Sequence, residues 1–258
     1  MKNKKEAFSR LLEIMDVLRV QCPWDKKQTM ESLRYLTIEE LYELSDAILN
    51  KDMEEIKKEL GDILLHVVFY ARIASETNDF DILDVINNLC DKLIHRHPHI
   101  YGNVTATNEK EVKENWEKLK LKEGKKSVLE GVPKSLPAIV KAFRIQEKVR
   151  GVGFDWENKN QVWEKVLEEI EELKLEVQKG NQDKIESEFG DVLFALTNYS
   201  RFVNVNPEDA LERTNKRFIK RFQIMEDIIK KDGLILSEMT FSNMDIYWEK
   251  AKKIYLKE

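Results

Sequence analysis

Apolar residues recur at helical spacing along most of the chain. Phe8, Leu11, Leu12, Met15 and Leu18 fall three or four apart, as do Ile56, Leu60, Ile63, Leu64 and Val67, and then Ile82, Val85, Ile86, Leu89 and Leu93. The later half repeats the style with Val162, Val166, Ile170, Leu173 and Val177. It continues with Ile185, Phe189, Val192, Leu193 and Leu196, and with Leu211, Phe218, Phe222 and Met225. Alternation of period two, the mark of a half-buried strand, has no comparable run. Asn206-Pro207 supplies a cap and a first-turn proline for the last of these helices. Gly124, Gly131, Pro133 and Pro137 cluster between the halves. The pattern predicts an all-α chain with helical domains at 1–121 and 138–258 and a linker at 122–137.

The two halves are copies of one unit. Leu36 to Arg72 aligns without a gap to Lys165 to Arg201, a shift of 129 residues. Under that shift Glu39, Glu40, Glu43, Glu59, Gly61, Asp62, Tyr70 and Arg72 meet Glu168, Glu169, Glu172, Glu188, Gly190, Asp191, Tyr199 and Arg201. Farther on, Trp116 in NWEKLK resembles Trp248 in YWEKAKK.

Composition narrows the function classes. The 258 residues hold 43 Lys+Arg against 48 Asp+Glu, a formal net charge of -5 without the basic excess of a phosphate-backbone binder, which argues against nucleic acid as a partner. Charged residues make up 35% of the chain, and 9 Gly and 5 Pro suit long amphipathic helices rather than turn-rich sheets. Cys22 and Cys90 form no CxxC pair, so two buried, reduced thiols are expected. Glu6, Glu13 and Asp16 interrupt any signal-peptide core near the N-terminus. The longest apolar stretch, Ile63 to Ala71, is broken by His66 and falls far short of the ~20 residues a bilayer needs. A cytoplasmic protein with no membrane partner is expected.

The acids have a geometry. Glu40 and Glu43 are three apart, as are Glu59 and Asp62, so each pair shares a helix face. The break at Asn50-Lys51-Asp52 predicts an antiparallel hairpin. About Lys51, Glu43 and Glu59 each lie eight residues away, and Glu40 and Asp62 eleven. The second copy, pivoting on Gly180, repeats this with Glu172 and Glu188, then Glu169 and Asp191. Four facing carboxylates repel one another unless a divalent cation lies between them. Hard oxygen ligands that leave room for water and phosphate favour Mg²⁺ or Mn²⁺ over zinc. Acids three apart also occur on solvated helix faces, and Thr37-x-x-Glu40 could be a capping box. Against the bland reading, five acids keep register across two diverged copies. Gly61 and Gly190 add to it, since a helix-interior glycine costs about 1 kcal/mol relative to Ala, which predicts that a neighbouring helix or a ligand approaches the backbone there.

Together, EExxE, fifteen residues and ExxD, present twice, with CPWDKKQT (Cys22 to Thr29), RHPHIYG (Arg96 to Gly102) and GVGFDW (Gly151 to Trp156), resemble the two-domain MazG nucleoside triphosphate pyrophosphohydrolases. The resemblance covers nearly the whole chain. The carboxylate motif alone marks a wider all-α superfamily; the tandem copies and flanking motifs narrow it. The resemblance implies hydrolysis between the α and β phosphates, giving a nucleoside monophosphate and pyrophosphate. It implies Glu169, Glu172, Glu188 and Asp191 as metal ligands and Glu168 as the residue that orients the attacking water.

The copies differ where substrate would bind. Lys165 and Lys184 stand where the first copy has Leu36 and Glu55, so only the second offers these cations to a polyphosphate. Arg213, Arg217 and Arg221 recur every four residues, beside Phe218 and Phe222, in a stripe that reads as a solvated basic face or as a phosphate clamp. The resemblance favours the clamp through Asn215 to Phe222, with Arg217 where the family commonly has Lys. It leaves Trp248 either against the base or ribose or in the core. The second half is therefore expected to be the main catalytic unit. The first half, which keeps Glu40, Glu43, Glu59 and Asp62 as candidate ligands of a second metal site and Lys92 and Arg96 as candidate clamp residues, is expected either to bind metal or nucleotide weakly or to act mainly in assembly. His95, His97 and His99 lack a fourth ligand at zinc-finger spacing. Neither GxGxxG after a strand nor GxxxxGK[ST] is present.

The expected protein is thus two tandem bundles of four to five helices, joined as a homodimer, that hydrolyse nucleoside triphosphates with Mg²⁺ and broad base specificity in clearing the nucleotide pool. A narrower dNTP or dUTP pyrophosphatase is one alternative. A non-catalytic nucleotide-sensing or protein-binding module is the other.

Overall fold

A computed structural model describes residues 3–103, 112 and 127–256. Trp116, Gly124 and the start of the expected linker lie outside the described residues. All regular structure among the described residues is helical. The chain separates into two compact units, Met1–Thr107 and Asn108–Glu258.

In the first unit, α1 (Lys4–Gln21), α2 (Met30–Asn50), α3 (Met53–Ser75), α4 (Ile82–Arg96) and the short α5 (Pro98–Tyr101) follow in order. Side chains start the helices by satisfying backbone N–H groups that have no partner within the helix. Asn3 caps α1 in a reciprocal box with Glu6, Thr29 pairs likewise with Ser32 at α2, and Asp52 and Asp81 cap α3 and α4. Thr37 lies inside α2 and caps nothing, so the capping-box reading of Thr37-x-x-Glu40 fails. Its hydroxyl bonds the Leu33 carbonyl and joins His66 and Tyr70 of α3. Lys51 ends α2 in the left-handed conformation, φ 57°, which turns the chain within two residues into α3. Met15, Leu33, Val68 and Phe69 make the core where α1, α2 and α3 meet. Arg19 ties the Cys22 to Thr29 segment down by donating to the carbonyls of Asp25 and Gln28 and to Glu76.

The second unit contains α6 (Ala138–Arg150), α7 (Lys159–Lys179), α8 (Gln182–Phe202), α9 (Pro207–Lys231) and α10 (Phe241–Tyr255). Gly180, at φ 72°, makes the left-handed turn that Lys51 makes in the first unit, and here the residue type suits the angle. Asn206 caps α9 with Pro207 in its first turn, as the dipeptide predicts. The helices pair as two hairpins, α7 with α8 and α9 with α10, and α6 packs on α8 and α9. Val162 and Val166 are buried on α7, while Met225, Ile229 and Ala251 form the core between α9 and α10.

Two expectations about burial need correction. Cys22 is half-buried and Cys90 is exposed, both as free thiols, because Cys90 falls on the outer side of α4. The apolar stripe of α4 is also largely exposed at Leu83, Ile86, Leu89 and Leu93.

Candidate metal centre

Each long hairpin gathers carboxylates as the heights about its turn require. Glu40 and Glu43 on α2 meet Glu59 on α3, with one carboxylate oxygen from each lying within 4.8 Å of the others. Glu169 and Glu172 on α7 meet Glu188 on α8 in the same way. Asp62 and Asp191 fall outside these tight groups, one turn along α3 and α8, yet close enough for their charges to act on Glu40 and Glu188. The clusters are partly sunk. Glu59 is 3% exposed and Glu169 8%, while Glu43 and Glu172 face water. Among the described residues Glu59 Oε2 is buried with no hydrogen-bond partner.

The electrostatics record crowding. Desolvation, then the charges of Asp62 and Glu43, holds the Glu40 carboxyl above the ordinary carboxylate range. Desolvation, then Glu59 and Glu39, does the same to Glu43. Glu188 is raised by desolvation first, then by Glu172, Asp191 and Glu169. A carboxyl with a raised folded-state pKa binds more protons folded than unfolded, so its ionised form opposes folding near neutrality, and that penalty fades as pH falls through the raised value. Glu188→Gln is therefore expected to melt higher than the parent near neutral pH in the presence of a chelator, with the gap closing as pH falls into the carboxylate range. Equal or lower melting of the variant near neutrality refutes this account of the cluster.

Lys165 is the main asymmetry between the copies. Expected to face a phosphate, it bonds Glu168 Oε1 at 2.9 Å and Glu169 Oε1 at 2.6 Å on its own helix. Those bonds raise its pKa and leave the second cluster partly neutralised. Leu36, at the equivalent position, offers nothing comparable.

Lys184 is exposed near the start of α8, and the remaining candidates belong to the other hairpin. Arg217 and Arg221 lie on α9 and Trp248 on α10; α9 packs against α10 and α6. The Arg221 guanidinium sits 4.9 Å from the centre of the Tyr255 ring, with its buried Nε lacking a hydrogen-bond partner among the described residues. Trp248 packs on Phe218, ring centres 5.1 Å apart, and Phe218 stacks on Phe222. Trp248 thus has one face in the aromatic cluster. The structure does not place it against the carboxylates. His97 and His99 approach each other, but no histidine joins a metal-capable group among the described residues.

A Cβ built on Gly61 or Gly190 meets nothing within 4 Å among the described residues, so no neighbouring helix of the chain demands glycine there. Of the two expectations for these glycines, the neighbouring helix is corrected, which leaves the approach of a ligand. The structure also adds a residue that sequence reasoning passed over. Glu176 is 8% exposed and one of its carboxylate oxygens is buried. It stands one turn beyond Glu172, where the first copy has Ala47. Reading the repeat for differences as well as identities would have found it.

As ligands, the residues suit a hard divalent ion. Carboxylate oxygens from two helices converge at a spacing such an ion can bridge, at the edge of a core that partly excludes water. The family model described as MazG nucleotide pyrophosphohydrolase domain matches residues 28–101 and 157–224, once in each unit. A Thermotoga maritima protein named nucleoside triphosphate pyrophosphohydrolase/pyrophosphatase MazG is 46% identical over 257 residues, 98% of either chain. The Escherichia coli K12 protein named nucleoside triphosphate pyrophosphohydrolase is 40% identical over 255 residues, 95% of this chain and 97% of its own. The crystal structure of a mazG-related protein from Thermotoga maritima matches 44% of this chain and 98% of its own, at 26% identity and a TM-score of 0.40.

Proposed function

The chain belongs to the MazG nucleotide pyrophosphohydrolase family, and from that premise we propose that it hydrolyses nucleoside triphosphates to monophosphate and pyrophosphate with Mg²⁺ held in the second unit. One observation carries the assignment of the site. Glu169, Glu172 and Glu188 converge across the α7–α8 hairpin, with Asp191 one turn on and Lys165 paired into the group. These carboxylates would hold Mg²⁺, or Mn²⁺ in its place, which would supply Lewis-acid polarisation of phosphoryl oxygens and charge to offset that of the departing pyrophosphate.

The chain's own groups do the rest. Glu168, exposed and bonded only through Lys165, is free to exchange that bond for one to the attacking water. Lys165 and Lys184 supply positive charge to the polyphosphate. Arg217 and Arg221 supply planar guanidinium donors suited to phosphate oxygens, and Trp248, which also packs against the Met225, Ile229 and Ala251 core, would lie against a base or ribose with its remaining surface. Recognition through the polyphosphate, which every nucleoside triphosphate shares, goes with broad base specificity. The exposed Leu167, Phe189, Leu193 and Leu196 of α7 and α8 support a homodimer, in which a second copy would cover them. A sedimentation mass equal to one chain refutes the dimer.

Separating the products of ATP hydrolysis tests the reaction. AMP and pyrophosphate are expected with Mg²⁺ and neither with a chelator; ADP and phosphate refute it. ATP binding without any product favours the non-catalytic sensing module, and release confined to dNTPs or dUTP favours the narrower enzyme.

A further inference from the structure

The two hairpins make an internal comparison, and one pair of changes between them is matched across the helices. About the Gly180 turn, Glu176 lies four residues before and Lys184 four after. Ala47 and Glu55 occupy the same heights about Lys51. In the first unit Ala47 is buried, and Glu55 bonds Lys58 on its own helix at 3.0 Å. The second unit has gained a buried acid on α7 and a base opposite it on α8.

Glu176 is more than a surface ion-pair residue. It is 8% exposed, and Lys179 Nζ satisfies only Oε1, at 2.6 Å. Oε2 is buried without a hydrogen-bond partner among the described residues. A buried carboxylate oxygen left without a donor is unfavourable, so an alanine like that of the first unit would be the more stable choice. The charges acting on this carboxylate include Lys184 across the hairpin, and Glu176 in turn acts on Glu188 of the metal cluster. By the same register that brings Glu172 to Glu188, Glu176 stands across the hairpin from Lys184, one turn nearer the Gly180 turn than the carboxylate cluster.

We propose that Glu176 is a positioning residue that holds the Lys184 ammonium against the hairpin, one turn below the carboxylate cluster, where it meets the terminal phosphates of the substrate. Oε2 is the acceptor kept for that ammonium. Lys184, exposed and on a flexible stem, would otherwise spread its charge over many rotamers. The proposal rests on the pyrophosphohydrolase reading of the second unit.

Steady-state kinetics of Glu176→Gln, Lys184→Ala and the double variant with ATP and Mg²⁺ test it. Glutamine keeps the shape of the buried side chain and removes only its charge. Each single variant is expected to raise KM about tenfold, the scale of one charge-assisted hydrogen bond, with kcat changed less than about threefold. The double variant is expected to be no worse than either single, because the two residues act as a unit. Glu176→Asp, which retains the charge, is expected to recover part of the loss. Multiplicative losses in the double variant, or an unchanged KM in Glu176→Gln beside a raised KM in Lys184→Ala, overturn the positioning role alone. An unchanged KM in Lys184→Ala overturns the phosphate-binding reading beneath it. A Glu176→Gln variant with lowered melting and parental KM marks the residue as purely structural and also overturns the proposal.

Discussion

Glu172→Ala and Asp191→Ala are each expected to abolish metal-dependent release of pyrophosphate, lowering kcat/KM by about a thousandfold or more, while Glu43→Ala leaves most of it. A thousandfold loss corresponds to about 4 kcal/mol of transition-state stabilisation, within what a bound divalent ion contributes to phosphoryl transfer. Glu172, Asp191 and Glu43 are all exposed at the rims of their clusters, so truncating any one leaves no cavity. Glu172 and Asp191 moreover repel Glu188, and their removal relieves that crowding. Lost activity with undiminished melting therefore reports on the metal and not on folding. The contrast with Glu43 rests on the cations. Both hairpins gather carboxylates, but only the second has Lys165 and Lys184, where the first has Leu36 and Glu55. The opposite result, Glu43→Ala inactive and Glu172→Ala active, would falsify the assignment of halves.

The parts of this fold legible in the sequence are those governed by helical period and by register about a short turn. A hairpin with its pivot at Lys51 or Gly180 sets which residues share a height, and the carboxylates meet where that arithmetic puts them. Capping follows the same local logic, correctly at Asn206 and wrongly at Thr37. There the hydroxyl sits a full two turns inside α2 and bonds across to His66 and Tyr70. Burial is not local, and there the reading fails. Cys90 and the leucines of α4 have a core-like period but lie on a face that the described helices leave exposed. Gly61 and Gly190 have no crowding neighbour, although a helix-interior glycine ordinarily implies one. Lys165, expected beside a phosphate, also has the motif's own carboxylates as acceptors at i+3 and i+4, so its charge is shared between the cluster and a bound polyphosphate. Glu176 escaped notice because attention to what the copies share hides what one of them has gained.

Arg201→Ala is expected to lower the melting temperature by about 6–12 °C, a loss of roughly 3 kcal/mol for a unit of this size. The Arg201 side chain is 5% exposed and its guanidinium satisfies three neighbours at once. It donates to Asp155 at 2.6 Å, to Asn198 at 2.7 Å and to the Gln146 carbonyl at 3.2 Å. Alanine strips the donors from all three, and Asp155, itself only 20% exposed, keeps a charge with poor access to water. The equivalent arginine of the first unit is the control. Arg72 pairs with Asp16, which is 64% exposed, so solvent screens that interaction and Arg72→Ala is expected to cost about 1 kcal/mol or less through it. Comparable melting losses in the two variants would show that the Arg201 network adds no more than a surface pair. A larger loss at Arg201 has a functional consequence as well. Asp155 belongs to the GVGFDW loop, and Arg201 lies on the helix that carries Glu188 and Asp191. The same guanidinium therefore anchors the loop that leads into α7 to α8, at the end of the hairpin away from the Gly180 turn.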